Sequence, residues 1–171
     1  MQIYYVHHAL RDKGNPPTQA DDITELGRKD AILSGKILSE RIKSRGTKLI
    51  GIFTAPEFRH TETARFLNES LNAQIFLDER LSEMKCYDKS ESWVALQTRV
   101  REAIKYVVMK YDADDTCAVM VTSGVNLAGF IDVAYKLQPS ETAAFPWVHS
   151  CSPIGFDINK SHFEESPNGR S

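Results

Sequence analysis

Short apolar runs alternate along this chain with longer segments of helical periodicity. Ile3 to Val6 is continuously apolar and predicts a buried central strand. Leu49 to Thr54 predicts a second, stopped by Pro56, and Cys117 to Val121 a third of the same kind. Gln74 to Leu77 fits a shorter strand, and Ile154, Phe156 and Ile158 alternate as in a half-exposed one. Between these runs, Thr24 can cap a helix over residues 25–45. Its Leu26, Leu33 and Ile37 fall on one stripe, flanked by Ala31, Leu38 and Ile42. A helix carries Thr63 through Leu71. Ser90 can start a long helix in which Leu96, Val100, Ala103 and Val107 keep i, i+4, i+7, i+11 spacing, and Val125 to Leu137 returns as another. Gly14, Pro16 and Pro17 exclude helix from the polar loop Arg11–Thr18, which exceeds a tight connection and is expected to form the rim of a site. Asp112 to Asp115 reads as an acidic turn.

Strands alternating with helices imply right-handed crossovers and an α/β fold, a three-layer α/β/α sandwich around a mostly parallel sheet. The 171 residues fit one domain, drawn over 1–158, with a polar and loose tail over 159–171. Composition changes this picture little: 42% hydrophobic and 26% charged residues describe an ordinary globular chain with a real core. A net charge of −2 offers no bulk attraction for nucleic acid or an anionic membrane. The basic spots at Arg41–Arg45 and Arg99–Arg101 lie in helical patterns with acidic neighbours and read as solvated faces. No apolar run approaches ~18 residues, and the N-terminus lacks signal-peptide character, so a soluble cytoplasmic protein is expected. Cys86, Cys117 and Cys151 show neither a disulfide framework nor a zinc ribbon.

In parallel sheets ligands bind at the carboxyl ends of the strands. The ends here are Val6-His-His-Ala9, Phe53-Thr-Ala-Pro56 and Val121-Thr-Ser-Gly124. His7 and His8 leave the first strand with Arg11 and Lys13 just beyond, which suits anion binding or nucleophilic attack on phosphorus by a neutral imidazole. Taken alone, they are equally polar residues of a surface loop. Arg59 stands where a helix begins, in position either to hold a phosphate with the neighbouring amides or to make an ordinary salt bridge. Thr122-Ser-Gly124 can offer a hydroxyl and backbone N–H groups, but lacks the G-x-S-x-G of a hydrolase elbow and the glycines of a P-loop.

In this order, the segments resemble the histidine phosphatase (phosphoglycerate mutase-like) superfamily. Ile3-Tyr-Tyr-Val-His-His-Ala9 resembles its opening strand and Arg-His-Gly signature, and Ile23-Thr-Glu-Leu-Gly27 its Leu-Thr-x-x-Gly helix start. Phe53-Thr-Ala-Pro-Glu-Phe-Arg-His-Thr-Glu-Thr-Ala64 is similar to Ser-x-Pro-x-x-Arg-x-x-Gln-Thr-Ala, and Asp78-Glu-Arg-Leu-Ser-Glu83 to Arg-Leu-x-Glu. Glu91-Ser-Trp with Arg99-Val completes the set. The resemblance implies a phosphatase, without metal or cofactor, acting on a phosphorylated small molecule or phosphoprotein. His8 would become phosphohistidine, Arg59 would neutralise phosphoryl oxygens, and Glu83 would protonate the leaving group. No oligomeric state follows from it.

Three positions depart from the family pattern. Its signature arginine is His7, its signature glycine is Ala9, and its second histidine falls on Ser123. Losing one well-placed transition-state donor typically costs ~2.7–4 kcal/mol, and two uncompensated losses could slow a reaction by ~10⁴. Arg11 or Lys13 folding over the pocket, a protonated His7, or the Ser123 hydroxyl could compensate. The alternative is a catalytically impaired relative that binds a phosphorylated ligand or partner. His149 reads as a rim or turn residue that could instead approach the missing histidine's place, and His60 as structural or incidental. A metal held by His7, His8 and a third histidine is disfavoured, because adjacent strand residues point to opposite faces.

Overall fold

The computed structural model describes residues 1–12, 22–84, 91–111, 113, 115–140 and 148–164. Lys13, the Gly14 and proline stretch, Cys86, Ser90 as a helix start, and part of the 112–115 turn lie outside them. The elements run β1 (Gln2–His7), α1 (Glu25–Arg45), β2 (Lys48–Thr54), α2 (Phe58–Leu71), β3 (Ile75–Leu77), α3 (Trp93–Tyr111), β4 (Thr116–Thr122), α4 (Leu127–Ala134) and β5 (Pro153–Asp157). Single 3-10 turns occupy Glu79–Leu81, Gly124–Asn126 and Lys160–His162. The sheet order is β3-β2-β4-β1-β5, with every pairing parallel except β5 against β1.

The strands that read as continuously apolar are the ones covered on both faces. In β1, Ile3 and Tyr5 pack on the α3/α4 side, while Tyr4 and Val6 pack on the α1/α2 side. β4 divides in the same way, with Ala118 and Met120 opposed to Cys117, Val119 and Val121. The result is the three-layer α/β/α sandwich that the alternation predicts. Leu96, Val100, Ala103 and Val107 of α3 are all fully buried against the sheet, as their spacing requires. Each buried aliphatic side chain contributes roughly 1.5–3 kcal/mol of hydrophobic stabilisation, which makes this helix a main anchor of its layer.

α1 has the predicted ends but a different buried face. Leu26, Leu33 and Ile37 are 58%, 56% and 40% exposed, and the inward positions are Gly27, Ala31, Ser34, Gly35, Leu38 and Ile42. The cause is close packing of α1 on α2: a Cβ on Gly35 would lie 2.4 Å from the carbonyl oxygen of Leu67. Small residues therefore share the contact stripe with Leu38 and Ile42, and Leu26, Leu33 and Ile37 face outward. The Thr24 hydroxyl accepts from Gly27 N–H at 3.0 Å. At the other end Gly46 takes φ 65, with Gly46 and Thr47 N–H groups returning to Lys43 and Ile42. That left-handed cap is the geometry glycine favours.

Other boundaries shift. α2 starts at Phe58, earlier than Thr63. Just before α3, the Ser92 hydroxyl accepts from Ala95 N–H at 3.1 Å, which is a capping bond. α4 ends at Ala134, short of Leu137, because Lys136 adopts φ 55 and Leu137 N–H returns to Asp132 at 2.8 Å. Phe163 packs against the core near α3, and Arg101 bonds the His162 carbonyl at 3.3 Å, so the described start of the tail is held rather than loose. Among the described residues, no helix is long and apolar enough to cross a membrane.

Candidate active site

The pleat of β1 sorts its two histidines. His8 follows Tyr4 and Val6 in parity toward α2, and His7 follows Ile3 and Tyr5 toward the turn after β4. His8 N–H still bonds Thr122 carbonyl at 2.9 Å, so the sheet holds the backbone up to the ring. The next residue is clamped: Ala9 N–H donates to Thr63 Oγ1 at 2.9 Å, and that hydroxyl donates to the Arg59 carbonyl at 2.6 Å. The carbonyl of Leu10 lies so near α1 that a Cβ on Gly27 would sit 2.5 Å from it. Ala9 does not have a positive φ, so an alanine there carries no left-handed strain.

The His8 ring is nearly enclosed, and its Nδ1 lies 2.8 Å from the Ala9 carbonyl. A carbonyl can only accept, so Nδ1 carries the proton and Nε2 keeps a lone pair in the neutral ring. Burial pushes the His8 pKa down to about 2, and His60 and His7 beside it act in the same direction. The imidazole is thus neutral at any ordinary pH, the state a nucleophile toward phosphorus needs.

Arg59, on the first turn of α2, is fully buried and ion-paired with Glu83. Glu83 comes from the turn that follows β3, and several groups fix that turn. Asn126 Nδ2 donates to the carbonyls of Leu81 and Ser82 at 2.8 and 3.0 Å, and the Thr122 hydroxyl also bonds Leu81. Arg99, paired with Glu91, reaches the carbonyls of Arg80 at 2.7 Å and Glu83 at 3.3 Å. The Glu91 and Arg99 segment thus acts as a brace for the acid-bearing turn.

His60, which the sequence reads as structural or incidental, stands beside this cluster. It is fully buried, and its ring stands edge-on to His8, with centroids 4.9 Å apart at 86°. Its Nδ1 lies 3.2 Å from Glu57 Oε2, at ion-pair range though outside hydrogen-bond geometry, and its Nε2 has no partner. Glu57 also receives Glu83 N–H at 2.9 Å. Burial lowers the pKa of His60, and Glu57 only partly offsets this. Burial would raise the Glu57 carboxyl, but His60 and the nearby N–H groups hold it below the carboxylate range. The two effects compete, since a neutral His60 supports Glu57 less, while the Glu83 N–H donates to Glu57 in either case.

On the other side, the His7 ring lies 4.5 Å from that of His8 and covers Gly124, where a Cβ would meet it at 3.4 Å. His7 Nδ1 is 3.2 Å from the Val148 carbonyl, and burial lowers its pKa. Ser123 is buried; its hydroxyl lies 3.4 Å from Asn126 Oδ1, and its carbonyl accepts from Tyr5 at 3.1 Å. Arg11 pairs through its backbone with Ile23 and is not among the charges acting most strongly on His7 or His8. His149 is exposed on the loop before β5. Cys151 is a core residue, with burial pushing its thiol up to about 12. His7, His8, Arg59 and Glu83 therefore converge, Ser123 borders them through Gly124, and the sequence missed His60, Glu57, Thr63 and Asn126. The Glu57-x-x-His60 spacing at a helix start was the available signal. Among the described residues, no group of three or more His, Cys, Asp or Glu is arranged to hold a metal.

A scan against protein families returns no match, and neither does a search of curated proteins. Solved structures do match. Mycobacterial glucosyl-3-phosphoglycerate phosphatase bound to VO3 shares 18% identity over 94% of this chain and 93% of its own, with a TM-score of 0.73. The protein histidine phosphatase SixA with tungstate shares 11% identity over 95% and 91%, with a TM-score of 0.70. The ecdysone phosphate phosphatase of Bombyx mori with tungstate shares 15% over 99% and 96%, with a TM-score of 0.74. The chain has the histidine phosphatase, phosphoglycerate mutase-like fold.

Proposed function

We propose that this protein is a phosphomonoesterase that works through a phosphohistidine on His8. The observation that carries this is the buried, neutral His8 ring with Nδ1 committed to the Ala9 carbonyl, next to the buried guanidinium of Arg59. In the first step Nε2 attacks phosphorus, the N–P bond forms and the P–O bond to the leaving group breaks. The substrate phosphate takes over the Arg59 guanidinium, and the released Glu83 carboxylate accepts the proton of the monoanionic ester and passes it to the departing oxygen. Water then attacks the phosphorus of phospho-His8, releasing phosphate and restoring the ring. Fixed positive charge at Arg59 and donors at Ser123 and Gly124 supply the electrostatic stabilisation. The three neighbouring structures are of phosphatases, which supports this class of chemistry. The substrate is a phosphorylated small molecule or a phosphoprotein, and the compartment proposed is the cytoplasm.

The Arg59–Glu83 pair favours a second reading, in which the protein binds phosphorylated ligands without turnover. Phosphate must displace Glu83 from Arg59, and no arginine or second histidine stands at positions 7 and 123 to help. Hydrolysis of an aryl phosphate between pH 5 and 8, with His8→Ala as control, separates the two. Turnover lost in the variant supports the enzyme. Tight vanadate binding without phosphate release from a broad phosphometabolite panel supports the binding protein.

A further inference from the structure

Resting on the phosphohistidine reading, we infer that Glu57 and His60 form a buried positioning pair that supports the His8 ring as it passes from neutral imidazole to phosphoimidazolium. Phosphorylation at Nε2 with Nδ1 still protonated leaves a cationic ring. The surroundings that hold His8 neutral oppose that charge as well. The groups facing the ring can be counted by element. From β1 comes His7, and from α2 come Arg59 and His60, all of which oppose a positive ring when charged. The carboxylates in this neighbourhood are Glu83, which is engaged by Arg59, and Glu57, which lies behind His60. Substrate phosphate frees Glu83 from Arg59, whereas Glu57 stays fixed behind His60 and is the carboxylate held in place near the cationic ring, with His60 the group through which it acts.

Packing alone does not account for His60. Its ring is fully enclosed with Nε2 unpartnered, and an apolar side chain would fill the same space without stranding a polar atom. Edge-on contact at 4.9 Å restricts rotation of the His8 ring, while the carboxylate 3.2 Å behind keeps His60 itself in place. Protonation reverses the effect. Neutral His60 lets the Glu57 charge reach His8; protonated His60 cancels it and sets a second cation against the ring. The neutral form prevails above the His60 pKa, so phosphorylation should weaken on the acid side, below the ordinary histidine value.

The test is the pH dependence of phospho-His8 formation from an aryl phosphate in the unmodified protein, His60→Gln and Glu57→Gln. Ionisation of the substrate and of His7 is common to all three, so the differences report on the pair. His60→Gln should flatten the acid limb and lower the plateau by less than about tenfold. Glu57→Gln keeps an acceptor for Glu83 N–H but removes the charge; it should lower the plateau about tenfold and move the limb to lower pH. A purely structural role would lower the plateau and leave the limb in place. An unmoved limb in both variants, or an unchanged plateau in Glu57→Gln, overturns the inference. If His60→Gln does not fold, Glu57→Gln decides alone. Absence of phospho-His8 in the unmodified protein would instead sink the phosphatase reading itself, and this inference with it.

Discussion

The two halves of the site beside His8 are built in different ways. On the α2 side, Arg59, His60 and Thr63 come from two consecutive turns of one helix, and Thr63 ties that helix directly to Ala9. On the β4 side, the ring of His7 lies over Gly124, and the contacts run to backbone carbonyls of Val148 and Ser123. Residues that match the family pattern gather in the first half, and two of the three departures, His7 and Ser123, meet in the second. On the proposed reading, the nucleophile His8 at the end of β1 and the Arg59 guanidinium on α2 stay clamped together through Thr63, while the opposite wall offers a buried imidazole and a hydroxyl in place of permanent charge. The difference suggests that attack at phosphorus is intact and that stabilisation of its developing charge is the weak point.

Removing the nucleophile gives the largest expected effect. His8→Ala should reduce aryl phosphate turnover by at least about 10³-fold, read as initial rate at saturating substrate. Disturbing the α2 half comes next. Arg59→Lys keeps the charge but loses the planar fork, and kcat/KM should fall by roughly 10²–10³ with vanadate affinity falling in parallel. A smaller change would contradict the claim that this half carries the phosphate. Restoring the β4 half should work in the opposite direction. His7→Arg supplies a guanidinium beside Gly124, and vanadate affinity and kcat/KM should rise about tenfold, the value of one charged hydrogen bond. No gain would mean that the wall is not limiting.

The smallest effect is on stability. His7, His8 and His60 all have pKa values lowered by burial in the folded chain. The unfolded chain therefore takes up protons at these histidines near pH 6.5 while the folded one does not, so stability is full above that pH and is lost below it. The slope is at most about 1.4 kcal/mol per pH unit for each histidine. Thermal unfolding from pH 7.5 to 5 should show a falling Tm, with a shallower fall in His60→Gln. Parallel curves for the two proteins would contradict the burial of an unprotonated His60.

The order of apolar runs made the sheet and its layers legible before any coordinates, because buried central strands must be apolar on both faces. The inner face of α1 was only partly legible: Ala31, Leu38 and Ile42 read as flanks of the stripe, while Gly27 and Gly35 serve close approach to Leu10 and to α2 rather than hydrophobic bulk. His8, Arg59 and Glu83 could be read from segments in a fixed order. His60 could not, because Glu57 and His60 at i, i+3 look like an ordinary pair at a helix start, and the contact with His8 exists only where α2 crosses the end of β1. The His7 contact with Gly124 is likewise tertiary, joining residues more than a hundred positions apart.

The most direct test is to trap the intermediate. Rapid acid-free quenching during aryl phosphate turnover, followed by mapping of the phosphoryl group, should find an acid-labile phosphohistidine at His8 in the unmodified protein and none in His8→Ala. Phosphate release at equal rates from both proteins, with no phosphoryl group on His8, would contradict the account at its centre.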